Sequence, residues 1–159
     1  MASEKTNAMR IADRAKVGYT AHTYDHSDGQ IDGLAIAKKT GQDPSRVFKT
    51  LVTHGTGGYF VFMVPVACEL DLKAAARAAG QKSVEMIAVK DINKVTGYIR
   101  GGCSPIGMKK SYPTVLDQTA LAFDTILFSG GKIGTQMEMA PADLLSLCGA
   151  KTADIIVKP

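Results

Sequence analysis

At 159 residues, 45% hydrophobic and 21% charged, with a formal net charge of +4, the chain reads as an ordinary globular protein forming one domain over residues 1–159. No apolar run approaches the ~20 residues of a membrane span, and MASEKTNAMR at the start lacks the apolar segment of a secretory signal. Cys68, Cys103 and Cys148 are odd in number and have no CxxC spacing, which speaks against a disulfide frame or a zinc knuckle and fits a reducing cytoplasm.

Residues 6–16 carry Met9, Ile11, Ala12 and Ala15 at helical spacing, with Thr6 placed to cap the helix and Gly18 to stop it. Residues 19–24 read as a short strand, and HSDGQIDG (26–33) as a polar loop. A second helix over 34–39 ends at Gly41, and Asp43-Pro44 restarts a helical turn. VFKTLVT (47–53) is strand-like, and Gly55 to Gly58 turn it into YFVFMVPV (59–66). That second strand is apolar almost throughout, which predicts cover on both faces. Asp71 caps a helix running to Ala79, with its alanines and Leu72 packed, Lys73 and Arg77 wet, and Gly80 as the stop. A short strand over 84–87 and a short helix over 90–95 follow. Residues 114–116 and 125–128 look like paired strands, 135–139 like a third, and Pro141 opens a last helix to residue 147. Hairpins mixed among helices predict an α+β domain with a mixed, mostly antiparallel sheet.

The stretch TGYIRGGCSPIGMKK (96–110) stands apart. Gly101 and Gly102 let backbone approach a ligand, and Pro105 holds Ser104 out of the helical region. The expectation is a stiff loop with outward amides, suited to a phosphate, a carboxylate or a developing oxyanion. Arg100, Lys109 and Lys110 add charge to its rim. Taken alone, such a loop also reads as a surface turn. Lys49 shares a strand face with Val47 and Leu51, so it either reaches an edge or points into a cleft. Ser129-Gly130-Gly131-Lys132 is a second glycine loop after an apolar strand, otherwise a hairpin turn. No phosphate-loop or dinucleotide motif is present. His22, His26 and His54 have no partner at metal spacing, and no nucleophile elbow or protease pattern includes Cys103.

HTYDH, RVFKTLV, KSVEM, TGYIRGGCSPIGMKK and TILFSGGKIG, in that order, resemble the YbaK/EbsC family of aminoacyl-tRNA deacylases over most of the chain. The pairing of FKTL with GGxSPxG about fifty residues later is more specific than either part. The resemblance implies a sheet curled toward a barrel with helices outside. It makes Lys49 the site lysine and Gly101–Pro105 the loop holding the aminoacyl end, with Gly101 and Gly102 joining Lys49 as the catalytic set. Tyr24, Phe48, Thr50, Cys103, Ser104, Pro105, Ser129, Gly130, Gly131 and Gln136 would line the substrate pocket. The family loop usually has an aliphatic residue at the place of Cys103, sometimes an aspartate at Gln136, and often an arginine at Ile133.

The implied activity is hydrolysis of mischarged Cys-tRNA(Pro), the cysteine thiol attacking its own ester. Neither a metal nor a cofactor is implied, because an aminoacyl ester is already activated. The implied partners are the acceptor end of mischarged tRNA(Pro) and prolyl-tRNA synthetase, with no membrane and no DNA. Two alternatives stay open: a deacylase for alanine or another small amino acid, and a non-catalytic module docking on RNA or a synthetase. The pI near 9.0 fits both an enzyme and a docking module. Aromatic residues at 6% with no tryptophan lean against a base-stacking module.

Overall fold

The structure is a computed structural model that describes residues 5–158; residues 1–4 and 159 of the expected domain lie outside it. The elements are α1 (Asn7–Arg14), β1 (Thr20–Thr23), α2 (Gly33–Lys39), β2 (Phe48–Gly55), β3 (Gly58–Pro65), α3 (Leu72–Ala78), β4 (Glu85–Met86), α4 (Ile92–Thr96), β5 (Thr114–Asp117), β6 (Ile126–Lys132), β7 (Thr135–Met139), α5 (Pro141–Cys148) and β8 (Lys151–Ala153). Local chemistry accounts for the helix ends. Thr6 Oγ1 accepts from the Met9 amide, Asp32 from Ala35, and Asp71 from Lys73 and Ala74. Pro141 occupies the first turn of α5, where no amide hydrogen is needed.

The strands form two sheets, β1-β7-β6 and β4-β2-β3-β5-β8. β2 and β3 pair antiparallel from Phe48↔Pro65 to Gly55↔Gly58, whereas β3–β5 and β5–β8 are parallel. The domain is therefore mixed α+β. The strands over 114–116 and 125–128, expected to pair with each other, lie in different sheets: β5 joins β3 and β8, and β6 joins β7. Strand β8 gave no signal in the sequence.

Neither sheet closes on itself, which corrects the expectation of one barrel-like sheet. Among the described residues, one parallel bridge, Val47↔Leu127, joins the two sheets. Beyond that bridge β6 is bulged between Ser129 and Lys132, and a bulge bends and twists its strand. The second glycine loop is this bulge, inside β6. The hairpin turn comes later, at Ile133-Gly134.

Packing explains the apolar run of β3. Phe60, Phe62 and Val64 pack with Ala75 and Ala76 of α3. On the other face, Met63 joins Phe48, Phe128, Met137 and Leu144, with Met9 and Ala12 of α1. Both faces are covered, as the residue pattern requires. Leu72, expected to pack, is 43% exposed at the start of α3. No helix among the described residues is long and apolar enough to cross a membrane.

Candidate functional site

Where the two sheets part, a pocket of about 120 Å³ opens. β2 supplies Phe48, Lys49 and Thr50, and the glycine loop supplies Gly101 and Cys103. β6 and β7 supply Ser129 and Gln136, which are register partners. Ile31, Gly33 and Ile36 from the start of α2, together with Val66, form an apolar wall. Lys49 and the loop, about fifty residues apart in sequence, thus face one cavity, and the lining holds no carboxylate to pair with the lysine.

The apolar wall was not legible in the sequence, although Gly33 carried a signal. A Cβ there would stand 2.3 Å from Val66 Cγ1. Only glycine lets α2 begin so close to β3's end and roof the pocket.

The remaining predicted site residues take other positions. Gly102 is buried, and its amide donates to the Ile99 carbonyl at 2.9 Å, so it does not present an outward donor. A Cβ on Gly102 would meet Lys132 Cα and Ile133 N at 2.9 Å; the residue seats the loop against the β6–β7 turn. The amides of Gly101, Cys103 and Ser104 make no hydrogen bond to a described residue. Ser104 is fully buried, its Oγ accepting from the Ile106 amide at 3.2 Å. Pro105 lines a different cavity with Ile11 and Cys148. Gly130 and Gly131 belong to the bulge, packed against Thr135 and Tyr98 respectively. Tyr24 lies outside the lining, its amide donating to the Gly134 carbonyl at 3.0 Å.

Electrostatics separate the candidates for chemistry. Burial pushes the Cys103 thiol up to about 11, so it stays protonated near neutral pH and is a poor nucleophile. The three cysteines are free, and among the described residues no group of three or more His, Cys, Asp or Glu is placed to hold a metal. His22 does have an acidic partner, one that only pairing of β1 with β7 supplies: its Nε2 lies 2.7 Å from Glu138 Oε1.

The chain belongs to the aminoacyl-tRNA editing domain family: the profile of that domain matches residues 34–147, a span that includes Lys49, the glycine-rich loop and the strands around them. Among its relatives is a protein of Enterococcus faecalis named as a candidate Cys-tRNA(Pro)/Cys-tRNA(Cys) deacylase, EbsC. It is 46% identical over 156 residues, covering 98% of this chain and 95% of that protein. YwhH of Bacillus subtilis, uncharacterised, is 26% identical over 109 residues, covering 68% of this chain and 69% of its own. In fold, the chain matches the crystal structure of a candidate trans-editing enzyme for prolyl-tRNA synthetase. The TM-score is 0.80 at 23% identity, over 98% of this chain and 100% of that one.

Proposed function

We propose that the protein is a trans-editing aminoacyl-tRNA deacylase whose substrate is Cys-tRNA(Pro). The observation that carries this reading is the meeting of Lys49 with Gly101 and Cys103 in one small pocket of an editing-family domain. The name of the EbsC relative supports the substrate. The ester would lie against the loop, with Lys49 near the terminal ribose or its phosphate. The free amides of Gly101 and Cys103, the two loop residues that line the pocket, are the donors available to a developing oxyanion. Each such donor is worth on the order of 3 kcal/mol where one has been removed.

The attacking group in this proposal is the substrate's own thiol. Its sulfur adds to the ester carbonyl, the carbon–oxygen bond to the ribose breaks, and the thiol proton ends on the ribose hydroxyl. Water then opens the resulting thiolactone to free cysteine. Tethering makes the attack intramolecular and supplies a high effective molarity. The protonated Cys103 thiol favours this route over attack by the protein. A second reading, with alanine as substrate, draws on the pocket itself: about 120 Å³ with Ile31, Ile36, Phe48 and Val66 suits a small apolar side chain. The partners proposed are the acceptor end of tRNA(Pro) and prolyl-tRNA synthetase, in the cytoplasm.

The test is deacylation of tRNA(Pro) charged with Cys, S-methylcysteine, Ala or Ser, with and without prolyl-tRNA synthetase. Cys-tRNA should turn over far faster than the rest, because a thiol ionises much more readily than a hydroxyl. Equal rates for cysteine and S-methylcysteine would eliminate attack by sulfur. Preferred hydrolysis of Ala-tRNA would select the alanine reading. No hydrolysis of any ester would leave a docking module without activity.

A further inference from the structure

Among the described residues, two buried side-chain polar atoms lack any hydrogen-bond partner: Thr50 Oγ1 and Gln136 Oε1. Both residues line the same pocket. They come from different sheets, Thr50 from β2 and Gln136 from β7, and meet only because the sheets part there. Gln136 is 4% exposed. A buried polar atom without a partner carries a desolvation penalty that a folded protein rarely leaves uncompensated. Two of them in one cavity mark the place where a ligand completes the hydrogen bonding.

We propose that Gln136 and Thr50 bind the α-amino group of the aminoacyl ester, so that the protein selects esters with a free amine and rejects N-acylated ones. This rests on the deacylase reading above and deepens it. A carboxamide oxygen only accepts, so its partner must donate; the threonine hydroxyl can accept a second N–H. The α-amino group is the donor that every aminoacyl ester carries on its amino-acid portion, whatever its side chain. It lies one bond from the carbon that carries the ester carbonyl, within reach of a loop only as far away as the opposite wall of a 120 Å³ pocket. The lining contains Lys49 and no carboxylate, which favours the neutral amine over the ammonium. An acyl group on that nitrogen would remove a donor and add bulk against Ile31, Ile36 and Val66.

The experiment compares alanyl- and cysteinyl-tRNA(Pro) with their N-acetyl derivatives, for the wild type, Gln136→Leu and Gln136→Glu. The wild type should prefer the free amine on both amino acids. Gln136→Leu keeps the bulk without the acceptor and should shrink that preference by about 10- to 100-fold in kcat/KM. Gln136→Glu restores an acceptor and should restore the preference. A binding measurement independent of turnover uses alanyl-adenosine with an amide in place of the ester, free or N-acetylated. Its Kd should rise by a similar factor on acetylation for the wild type, and hardly at all for a Gln136→Leu protein that still melts cooperatively. If the wild type treats free and acetylated amines alike, or if the effect of Gln136→Leu follows the thiol rather than the amine, the assignment is overturned. Failure of the wild type to hydrolyse any ester would instead overturn the deacylase reading, and the amide analogue would still report on the amine site.

Discussion

Lys49 is half-buried in a pocket whose lining offers it no counter-charge. An uncompensated cation at such a place is best explained by an anionic or polarised ligand group. Lys49→Ala should therefore lower kcat/KM for the edited ester by about 100-fold, raising KM and lowering kcat together, since a charge at the ester end serves both bound substrate and transition state. Circular dichroism should be unchanged. Retention of full activity by this variant would place the ester elsewhere. Cys103 gives the opposite expectation. Its thiol is held up to about 11 by burial, so Cys103→Ala should keep most of the activity in the same assay, and iodoacetamide should label the native thiol slowly at neutral pH. Loss of activity in a folded Cys103→Ala protein would make it the nucleophile.

Between the elements, the junction of the two sheets is held by a polar network. Glu138 of β7 accepts from Thr125 Oγ1 at 2.5 Å and from Arg46 Nη2 at 3.0 Å, and lies 2.7 Å from His22 Nε2 of β1. Arg46 also donates from Nε to the Thr125 carbonyl at 3.2 Å. Arg46 stands two residues before β2, next to the Val47↔Leu127 bridge, so the network ties the three-stranded sheet to the strand that carries Lys49. The hydrogen bond from Thr125 first, then those from His22 and Arg46, hold the Glu138 carboxyl below its ordinary value of 4.5. A carboxylate lowered on folding stabilises the native state above its unfolded pKa, and that stability is lost as pH falls through the folded value. Glu138→Gln should thus cost about 1–3 kcal/mol at pH 7. In urea denaturation followed from pH 7 to pH 3, the gap between wild type and variant should narrow below pH 4.5. A gap independent of pH would mean that the charge contributes nothing.

At the scale of the whole molecule, the site exists because three separately built parts close on one another: two sheets and the loop after α4. Gly102 is the contact that seats the loop on the β6–β7 turn, with backbone atoms 2.9 Å from where a Cβ would be. Backbone cannot swing aside as the end of a side chain can. Gly102→Ala should destabilise the fold by about 1–3 kcal/mol in chemical denaturation and push the loop away from Lys49. Deacylation should then fall even under conditions where the variant remains folded. An alanine variant with wild-type stability and rate would show that the loop has room to shift.

Much of this was legible from residues alone. Caps, glycine stops and hairpin turns are local, which is why Thr6, Asp71 and Gly41 mark element ends in the sequence and in the structure alike. The apolar character of β3 announced cover on both faces, and Lys49 and the glycine loop were conspicuous as residue types out of place. The sequence by itself thus determined most of the elements, β8 excepted, the α+β class and two of the parts from which the pocket is built. Strand partnership was decided only in three dimensions. β5 and β6 carry similar apolar patterns, and nothing in periodicity says which neighbour each takes. The division into two open sheets and the bulge in β6 likewise appear only in the fold, and the orphaned pair of Thr50 and Gln136 becomes visible only when β2 and β7 stand across one cavity. The physical reason is common to these cases. Caps and turns are settled by interactions within a few residues, whereas pairing, bulge placement and an unfilled hydrogen bond depend on surfaces brought together from distant parts of the chain.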